Sequence, residues 1–419
     1  MKVFKFGGAS VQDIDRIKNV AEIIDSYKSE KLMIIISAMG KTTNALEKVA
    51  EAFFAGKMEQ ALQLFGIVKQ QHITMAKYLL VTHYNACYSQ LNDFFTEVEW
   101  LLHDNPVREY DYYYDQIVCV GELLSTCIVS TYLNEVGIEN KWLDVRDLVR
   151  TDNNFRDAAI NWNCTSDAVK AAITFDNTSI YITQGFIGCT DDNESTTLGR
   201  EGSDYSAAIF ANILDAESQT IWKDVVGVMN ADPKAFPEAQ VLAELSFEEV
   251  IEMAYYGAQV IHPKTIKPLQ NKGIPLQVKC FLDSSLPGTV INKKNIKNLP
   301  PIYVVKEKQV LVHLHSQDFS FVGDEPIIAL YQIFKDIKIK PNLIQTGAVS
   351  LQLCVDDRQD KVDQLAAAAT AIFDVQIEKG LELLTIRHYN EDIIAKLTAG
   401  KQIILEQKTT ETLQVLYRV

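Results

Sequence analysis

No uninterrupted apolar run in these 419 residues reaches the ~18 that a membrane span needs. The opening MKVFKFGGAS passes straight into a strand-and-turn pattern, which predicts that the chain carries no signal peptide. Positive charge is the scarcer sign: 40 Lys plus Arg stand against 55 Asp plus Glu, a formal net charge of −15. That balance argues against nucleic acid or an anionic membrane as partner, and any phosphate site must be locally basic inside an acidic protein. The seven cysteines, at 87, 119, 127, 164, 189, 280 and 354, form no C-x-x-C pair and have no histidines at metal-ligand spacing. Neither a disulfide framework nor a zinc site is implied, and a reducing cytosol fits this usage. No Ser-His-Asp or Cys-His spacing reads as a nucleophile. MGKTT at 39–43 has Ile35 where G-x-x-x-x-G-K-[ST] requires its first glycine, so it is not a Walker A loop.

What is present is ample apolar material, 47% of residues, in a chain long enough for two or three domains. Val3 to Phe6 reads as a short buried strand, followed by the Gly7-Gly8 turn. Ile14, Ile17, Val20, Ala21 and Ile24 then line one helix face ahead of the apolar run Leu32 to Ile36. This strand, helix, strand order predicts a parallel sheet. Residues 43–103 carry helical spacing almost throughout and predict a helical insertion over one sheet edge. Strands are expected again at Ile180 to Thr183, Thr220 to Trp222 and Leu276 to Cys280. Ser246 and Glu249 have the spacing of a capping box, opening a helix that stops near Gly257. Residues 1–295 therefore read as one large α/β domain.

Beyond the lysine-rich stretch Asn292 to Asn298 and the pair Pro300-Pro301 the pattern changes to short strands and helices in the order βαββαβ. Val310, Val312 and Leu314 alternate, as do Val349, Leu351, Leu353 and Val355, with helices expected over 326–337 and 361–373. A partial echo follows: a strand at 383–387, a helix at 391–397, and strands at 403–405 and 413–417. Such units are common binding and dimerisation modules, so regulation is expected here rather than catalysis.

The stretch with most chemistry is TQGFIGCTDDNESTTLGREGSDYSAA at 183–208. Gly185, Gly188 and Gly199 would let backbone N–H groups approach a ligand, and Ser203 reads as the N-cap of a helix with Asp204 in its first turn. A capped surface helix after a glycine-rich loop reads the same way, so other motifs must decide. Lys5, just before Phe6-Gly7-Gly8, is a mobile point charge suited to a phosphoryl group. Ser37 closes an apolar strand and Thr43 opens a helix. Glu122 in VGELLST follows a strand-like run and heads a helix, where it could accept bonds from a substrate amine or serve only the helix N-terminus. Asp224 and Asp232 lie on the loop after a parallel strand, the side where ligands bind, although Asp-Pro is also ordinary turn chemistry. His262, followed by Pro263, reads as a cap or a packing residue.

Taken together, KFGGAS, Ser37 with Thr43, VGELLST, TQGFIG, TTLGREGSDYSAA, WKDVVGVMNADP and YYGAQVIHP resemble the amino acid kinase family, and within it the aspartate kinases. The tail is similar to the paired ACT domains of those enzymes, so the resemblance spans nearly the whole chain. It implies an α/β amino acid kinase fold, three αβα layers around a mainly parallel sheet, over 1–295. Ferredoxin-like ACT-type units would follow at 306–380 and 381–419, with 300–306 available to complete the second. It implies phosphorylation of the β-carboxylate of L-aspartate by ATP with Mg2+, giving 4-phospho-L-aspartate, the entry to lysine, threonine and methionine synthesis. An amino-acid effector at the tail and a cytosolic homodimer or higher homo-oligomer are implied as well.

Carried onto this sequence, the resemblance makes Lys5 and Asp204 catalytic, Lys5 neutralising the moving phosphoryl group and Asp204 orienting it. Arg200 would clamp a substrate carboxylate, Glu122 would hold the α-ammonium, and Ser37, Thr43, Phe186 and Ser203 would shape that pocket. Gly7, Gly8 and Ser10 would line the phosphates, and Lys223, Asp224, Met229, Lys234 and Gln259 would face the nucleotide. Family members usually have glycine at 201, threonine or serine at 223, tyrosine at 229 and lysine at 259, where this chain has Glu201, Lys223, Met229 and Gln259. Lys223 is therefore expected either to pair with Glu201 or to replace the cation missing at 259. Lysine-regulated members carry acids where Asn342 and Ala348 stand, so weak or absent lysine inhibition is expected. Two other activities stay open from the sequence. A sibling kinase for acetylglutamate, glutamate or uridylate would share KFGG and GSD but is not expected to combine VGELLST with an ACT-like tail. A non-catalytic amino-acid sensor would have little reason to keep both Lys5 and Asp204.

Overall fold

The computed structural model describes residues 1–258 and 261–418, and these pack as two units. The first comprises residues 1–228, 241–254 and 261–296; the second comprises 229–240, 255–258 and 297–418.

The first unit is built on an eight-stranded sheet. In chain order its elements are β1 (Lys2–Phe6), α1 (Ile14–Asp25), β2 (Leu32–Ile36), α2 (Thr42–Phe54), α3 (Met58–Leu79), α4 (Tyr84–His103), α5 (Tyr110–Val118), α6 (Val120–Glu135), β3 (Lys141–Trp142) and α7 (Trp162–Ala172). There follow β4 (Ile180–Gln184), the small antiparallel hairpin β5 (Ile187–Cys189) and β6 (Ser195–Thr197), α8 (Gly202–Ile213), β7 (Ser218–Lys223), β8 (Glu244–Ser246), α9 (Phe247–Tyr255), α10 (Pro263–Lys272), β9 (Leu276–Cys280) and β10 (Thr289–Asn292). Strand order is β3-β4-β2-β1-β7-β9-β10-β8, parallel throughout except where β10 meets β9. The reason is covered faces: β2 (LMIII) is buried at every residue, as expected of a strand with helices on both sides. Val3, Phe4 and Phe6 of β1 are likewise buried, and both phenyl rings pack on Trp222 of β7. α8 lies close on the sheet because Ala207, Ala208 and Ala211 present no bulk there.

Two sequence expectations for this unit need correction, the strand-like run before Glu122 and the cap at Ser203. The run before Glu122 is helical, since Tyr113, Tyr114, Ile117 and Val118 share one buried face of α5 and tertiary packing overrides their strand propensity. The helical stretch Tyr110–Glu135 is long and apolar enough to cross a membrane, and 83% of its most apolar window is buried inside the protein. Ser203 is not an N-cap. Helix α8 starts one residue earlier, at Gly202, with Glu201 in the cap position and no side-chain cap bond. By contrast the N–H of Glu249 does donate to Ser246 Oγ at 3.0 Å, at the start of α9.

The second unit is a single six-stranded antiparallel sheet. Its elements are β11 (Ile302–Ser316), α11 (Asp324–Asp336), β12 (Leu343–Thr346), β13 (Ser350–Asp356), α12 (Gln359–Ala369), β14 (Phe373–Arg387), α13 (Glu391–Thr398), β15 (Gln402–Lys408) and β16 (Thr412–Arg418). Strand order is β12-β13-β11-β14-β16-β15. Phe373, expected in a helix, opens β14 instead, because α12 has ended at Ala369 and Phe373 joins the core with Val310, Val312 and Leu353. The long strands β11 and β14 each serve two halves. Gln309 to His315 pairs with β13, and Gln309 to Ser316 pairs with Phe373 to Leu381 of β14, while Ile302 to Lys306 pairs with Leu383 to Arg387, across register shifts at 306–311.

Candidate active site

Parallel strands end at a common edge, where ligands of open α/β sheets bind. The adjacent strands β1 and β7 place Lys5 and Lys223 there, and α8 brings Asp204 in its first turn. Lys5 Nζ lies 2.6 Å from Asp204 Oδ1, with both groups buried, and Lys223 Nζ lies 3.9 Å from Oδ2. Burial alone would raise the Asp204 pKa, but the two lysines outweigh it and hold the carboxylate below its ordinary value. One anion thus anchors two cations at the start of a helix.

Gly8 follows within the short 3-10 turn Gly8–Val11, and only glycine fits: a Cβ would come 2.6 Å from the Ala38 carbonyl oxygen. Gly185 serves packing rather than a ligand, because a Cβ there would meet the Cβ of Ser203 at 2.6 Å. Ser37 follows β2 directly, its carbonyl accepting from Ser125 Oγ at 2.8 Å, and Thr43 lies in the first turn of α2. Glu122, in the first turn of α6, is 2% exposed. Its Oε1 accepts the Ala38 N–H at 3.3 Å, while Oε2 has no hydrogen-bond partner among the described residues. Burial pushes its pKa up to about 8, against smaller opposing effects from that N–H and from Lys5.

These side chains share a cleft of about 500 Å³ lined by Lys5, Gly8, Ser37, Thr43, Glu122, Phe186, Arg200, Ser203, Asp204 and Lys223, among others. A cavity with convergent polar groups and one strongly perturbed carboxyl is the expected form of an active site. The sequence model of the amino acid kinase family matches residues 1–280. Aspartokinase 1 of Arabidopsis thaliana, a chloroplast protein, is 31% identical over 409 residues, covering 92% of this chain and 70% of its own. The chain belongs to the amino acid kinase family, among its aspartokinases. Lysine-sensitive aspartokinase 3 of Escherichia coli is 29% identical over 413 residues, covering 96% of this chain and 89% of its own. The crystal structure of E. coli aspartokinase III with aspartate and ADP superposes with a TM-score of 0.82 at 26% identity, over 100% of this chain and 96% of that one. The complex with lysine and aspartate gives 0.82 at 27% identity, over 99% and 95%.

Glu201 stands at the position for which the family resemblance leads one to expect glycine. The residue has a left-handed backbone, φ +53°, the conformation glycine tolerates best, and its carboxylate accepts the His262 N–H at 2.9 Å. Its carboxylate therefore ties α8 to the start of α10, where His262 is the N-cap and accepts from the Lys264 N–H at Nδ1. Lys223, for which the sequence offered Glu201 as one partner, lies 3.9 Å from Asp204 Oδ2. Ser10 is buried, with its hydroxyl 3.5 Å from the Trp222 carbonyl, and Asp224 is exposed beyond β7. Gly7 precedes the 3-10 turn. Met229 and Lys234 belong to the second unit, and Gln259 lies outside the described residues. Sequence reasoning missed Tyr114, Arg156 and Thr197, which also line the cleft. No motif carries the first two, Tyr114 hiding in a tyrosine run and Arg156 in the turn-rich TDNNFRD, whereas Thr197 stands inside TTLGREGSDYSAA with no role assigned to it.

Proposed function

We propose that this chain transfers the γ-phosphoryl group of ATP to the β-carboxylate of L-aspartate, forming 4-phospho-L-aspartate, the entry step to lysine, threonine and methionine synthesis. The observation that carries this reading is the buried Lys5–Asp204 pair opening into the same cleft as Glu122 and Arg200. Attack of a carboxylate on ATP brings two anions together, so it calls for positioning and charge compensation rather than a strong base. Lys5, held by Asp204, compensates the moving phosphoryl group, with Lys223 beside it. Glu122 takes the α-ammonium with its unpartnered oxygen, Arg200 takes a carboxylate, and Ser37, Thr43, Phe186 and Ser203 shape the pocket. No three His, Cys, Asp or Glu side chains among the described residues converge as a metal site. Mg2+ carried on the nucleotide phosphates would add further positive charge. Purified protein should form a hydroxamate from aspartate, ATP and hydroxylamine but none from acetylglutamate or glutamate, and should release no ADP from ATP in the presence of uridylate. No product from aspartate would favour the sensor reading.

The second unit supports two ACT-like units, 306–380 and 381–419, the latter completed by 300–306 through the pairing of Ile302 with Arg387. Effector recognition here differs from that of lysine-regulated members. Asn342 is neutral and engaged, accepting from Lys306 Nζ at 2.7 Å and donating to Gln309 Oε1 and Asp356 Oδ1 at 2.8 Å each, and Ala348 offers no carboxylate. Half-inhibition by lysine is therefore expected only above about 1 mM, for loss of two ammonium contacts; a titration with a submillimolar midpoint would contradict it. Phe319 and Phe321 are 84% and 80% exposed, large apolar side chains left to solvent on this unit, which supports a homo-oligomer through these tails. Sedimentation should show a dimer or larger species that Phe319→Ser with Phe321→Ser weakens. All seven cysteines are free thiols, in keeping with the cytosol.

A further inference from the structure

Arg156 belongs to none of the sequence motifs, yet the fold places it with unusual care. It has a left-handed backbone, φ +68°, uncommon for a long side chain and a pointer to function when the surroundings enforce it. The enforcing group is Asp115, fully buried in α5. Its Oδ2 accepts the N–H of Arg156 at 2.9 Å and that of Thr197 at 2.8 Å, while Oδ1 accepts the Thr197 hydroxyl at 2.7 Å. A buried carboxylate thus fastens the 156 turn to β6, two residues before Gly199. A Cβ on Gly199 would lie 3.2 Å from the Arg156 carbonyl oxygen, so the backbone leading into Arg200 packs directly on this turn.

The side chain is placed as well. The guanidinium carbon lies 4.3 Å from the centre of the Tyr114 ring. One terminal nitrogen is 3.2 Å from Asp111 Oδ1 and the other 3.9 Å from Glu47 Oε1. Glu47 follows Thr43 by four residues on α2, so it lies one turn along the same helix face. Both acidic partners are well exposed, and such pairs are weak enough to exchange for a ligand. What remains is a planar fork, stacked on the Tyr114 ring, that lines the same cleft as Thr43 and Arg200 and reaches toward Glu47 on the helix that carries Thr43. Forked donors of this kind match a carboxylate in two-point geometry.

We propose that Arg156 is a specificity-determining residue of the amino-acid subsite, its guanidinium binding a carboxylate of the acidic substrate alongside Arg200. This rests on the phosphotransfer reading above. Asp115 is a positioning residue, acting through the backbone of Arg156.

The test uses Arg156→Gly, because glycine suits φ +68° and the variant should melt no lower than wild type. The KM for aspartate should rise about 10- to 100-fold, as expected for a lost charged hydrogen-bonding partner, with the KM for ATP unchanged. Added guanidinium ion should recover part of the loss, and Arg156→Lys should recover only part because it lacks the fork. An unchanged KM for aspartate, or a rise in the KM for ATP instead, overturns the assignment and leaves the phosphotransfer reading intact. Melting of both proteins with aspartate or glutamate, without ATP, separates the two claims. If wild type makes no hydroxamate but an acidic amino acid stabilises it and not Arg156→Gly, the phosphotransfer reading falls and the assignment of Arg156 stands. Neither hydroxamate nor stabilisation of wild type overturns both.

Discussion

Lys5→Ala is expected to lower the single-turnover rate of aspartyl phosphate formation by about 10²- to 10³-fold, the scale seen when one preorganised charge-stabilising donor is removed. The ammonium group sits 2.6 Å from Asp204 Oδ1 in a setting from which water is largely excluded, so its charge is poorly screened and already oriented before substrate arrives. Alanine removes that charge and leaves Asp204 buried with Lys223 3.9 Å away as its remaining ion-pair partner. Losing one member of a buried pair typically costs about 3–5 kcal/mol, and Lys223 should keep the loss toward or below the lower figure, so the variant folds with a reduced melting temperature. Asp204→Ala should match Lys5→Ala in rate, and the double variant should be little worse than either, because the pair acts as a unit. More than a tenth of wild-type rate in Lys5→Ala would remove Lys5 from the mechanism.

Glu122 is expected to make aspartate affinity rise with pH in the same direction as for an ordinary carboxylate partner, but over a range several pH units higher. With its pKa pushed up to about 8 by burial, the free protein carries a protonated Glu122 at pH 7, whereas pairing with an ammonium requires the anion. Binding therefore releases a proton. The KM for aspartate should fall by up to about tenfold per pH unit between pH 6 and 8 and level off above, following the competent fraction. Glu122→Gln should abolish this slope and raise the KM about 10- to 100-fold, the loss of one charge-assisted bond. Stability runs the other way. The folded pKa lies above the unfolded one, so the native state binds more protons between about 4.5 and 8. Stability is then full below that window and declines as pH rises through it. Glu122→Gln should remove the decline and melt higher than wild type above pH 8. A flat KM profile in wild type would sink the assignment.

Much of the site was legible because its chemistry is local. Lys5 before Gly-Gly, and Asp204 in the first turn of a small-residue helix, each announce themselves within a few residues of chain, and the apolar runs of β1, β2, β4, β7 and β9 announce the sheet that carries them. Less legible were elements whose character depends on remote packing. The tyrosine-rich stretch before Glu122 has strand propensity but becomes α5, with Tyr113 packed edge-on against Phe53 of α2. The hairpin of β5 and β6 is too short for periodicity to register, three residues a side. Glu201 reads in the sequence as an unexplained anion beside phosphate, and its role as acceptor for His262 spans 61 residues.

The sequence by itself determined the parallel α/β architecture, the antiparallel tail, and the separate placement of Lys5, Ser37, Thr43, Glu122, Arg200 and Asp204 at ends of strands and starts of helices. These follow from side-chain periodicity and turn chemistry, which act over a few residues. Only the tertiary structure decided the protonation of Glu122, the sharing of Asp204 by two lysines, and the fastening of Arg156 through Asp115. Each of these is set by the distance between groups far apart in the chain and by exclusion of water around them, and neither quantity exists until the chain has folded.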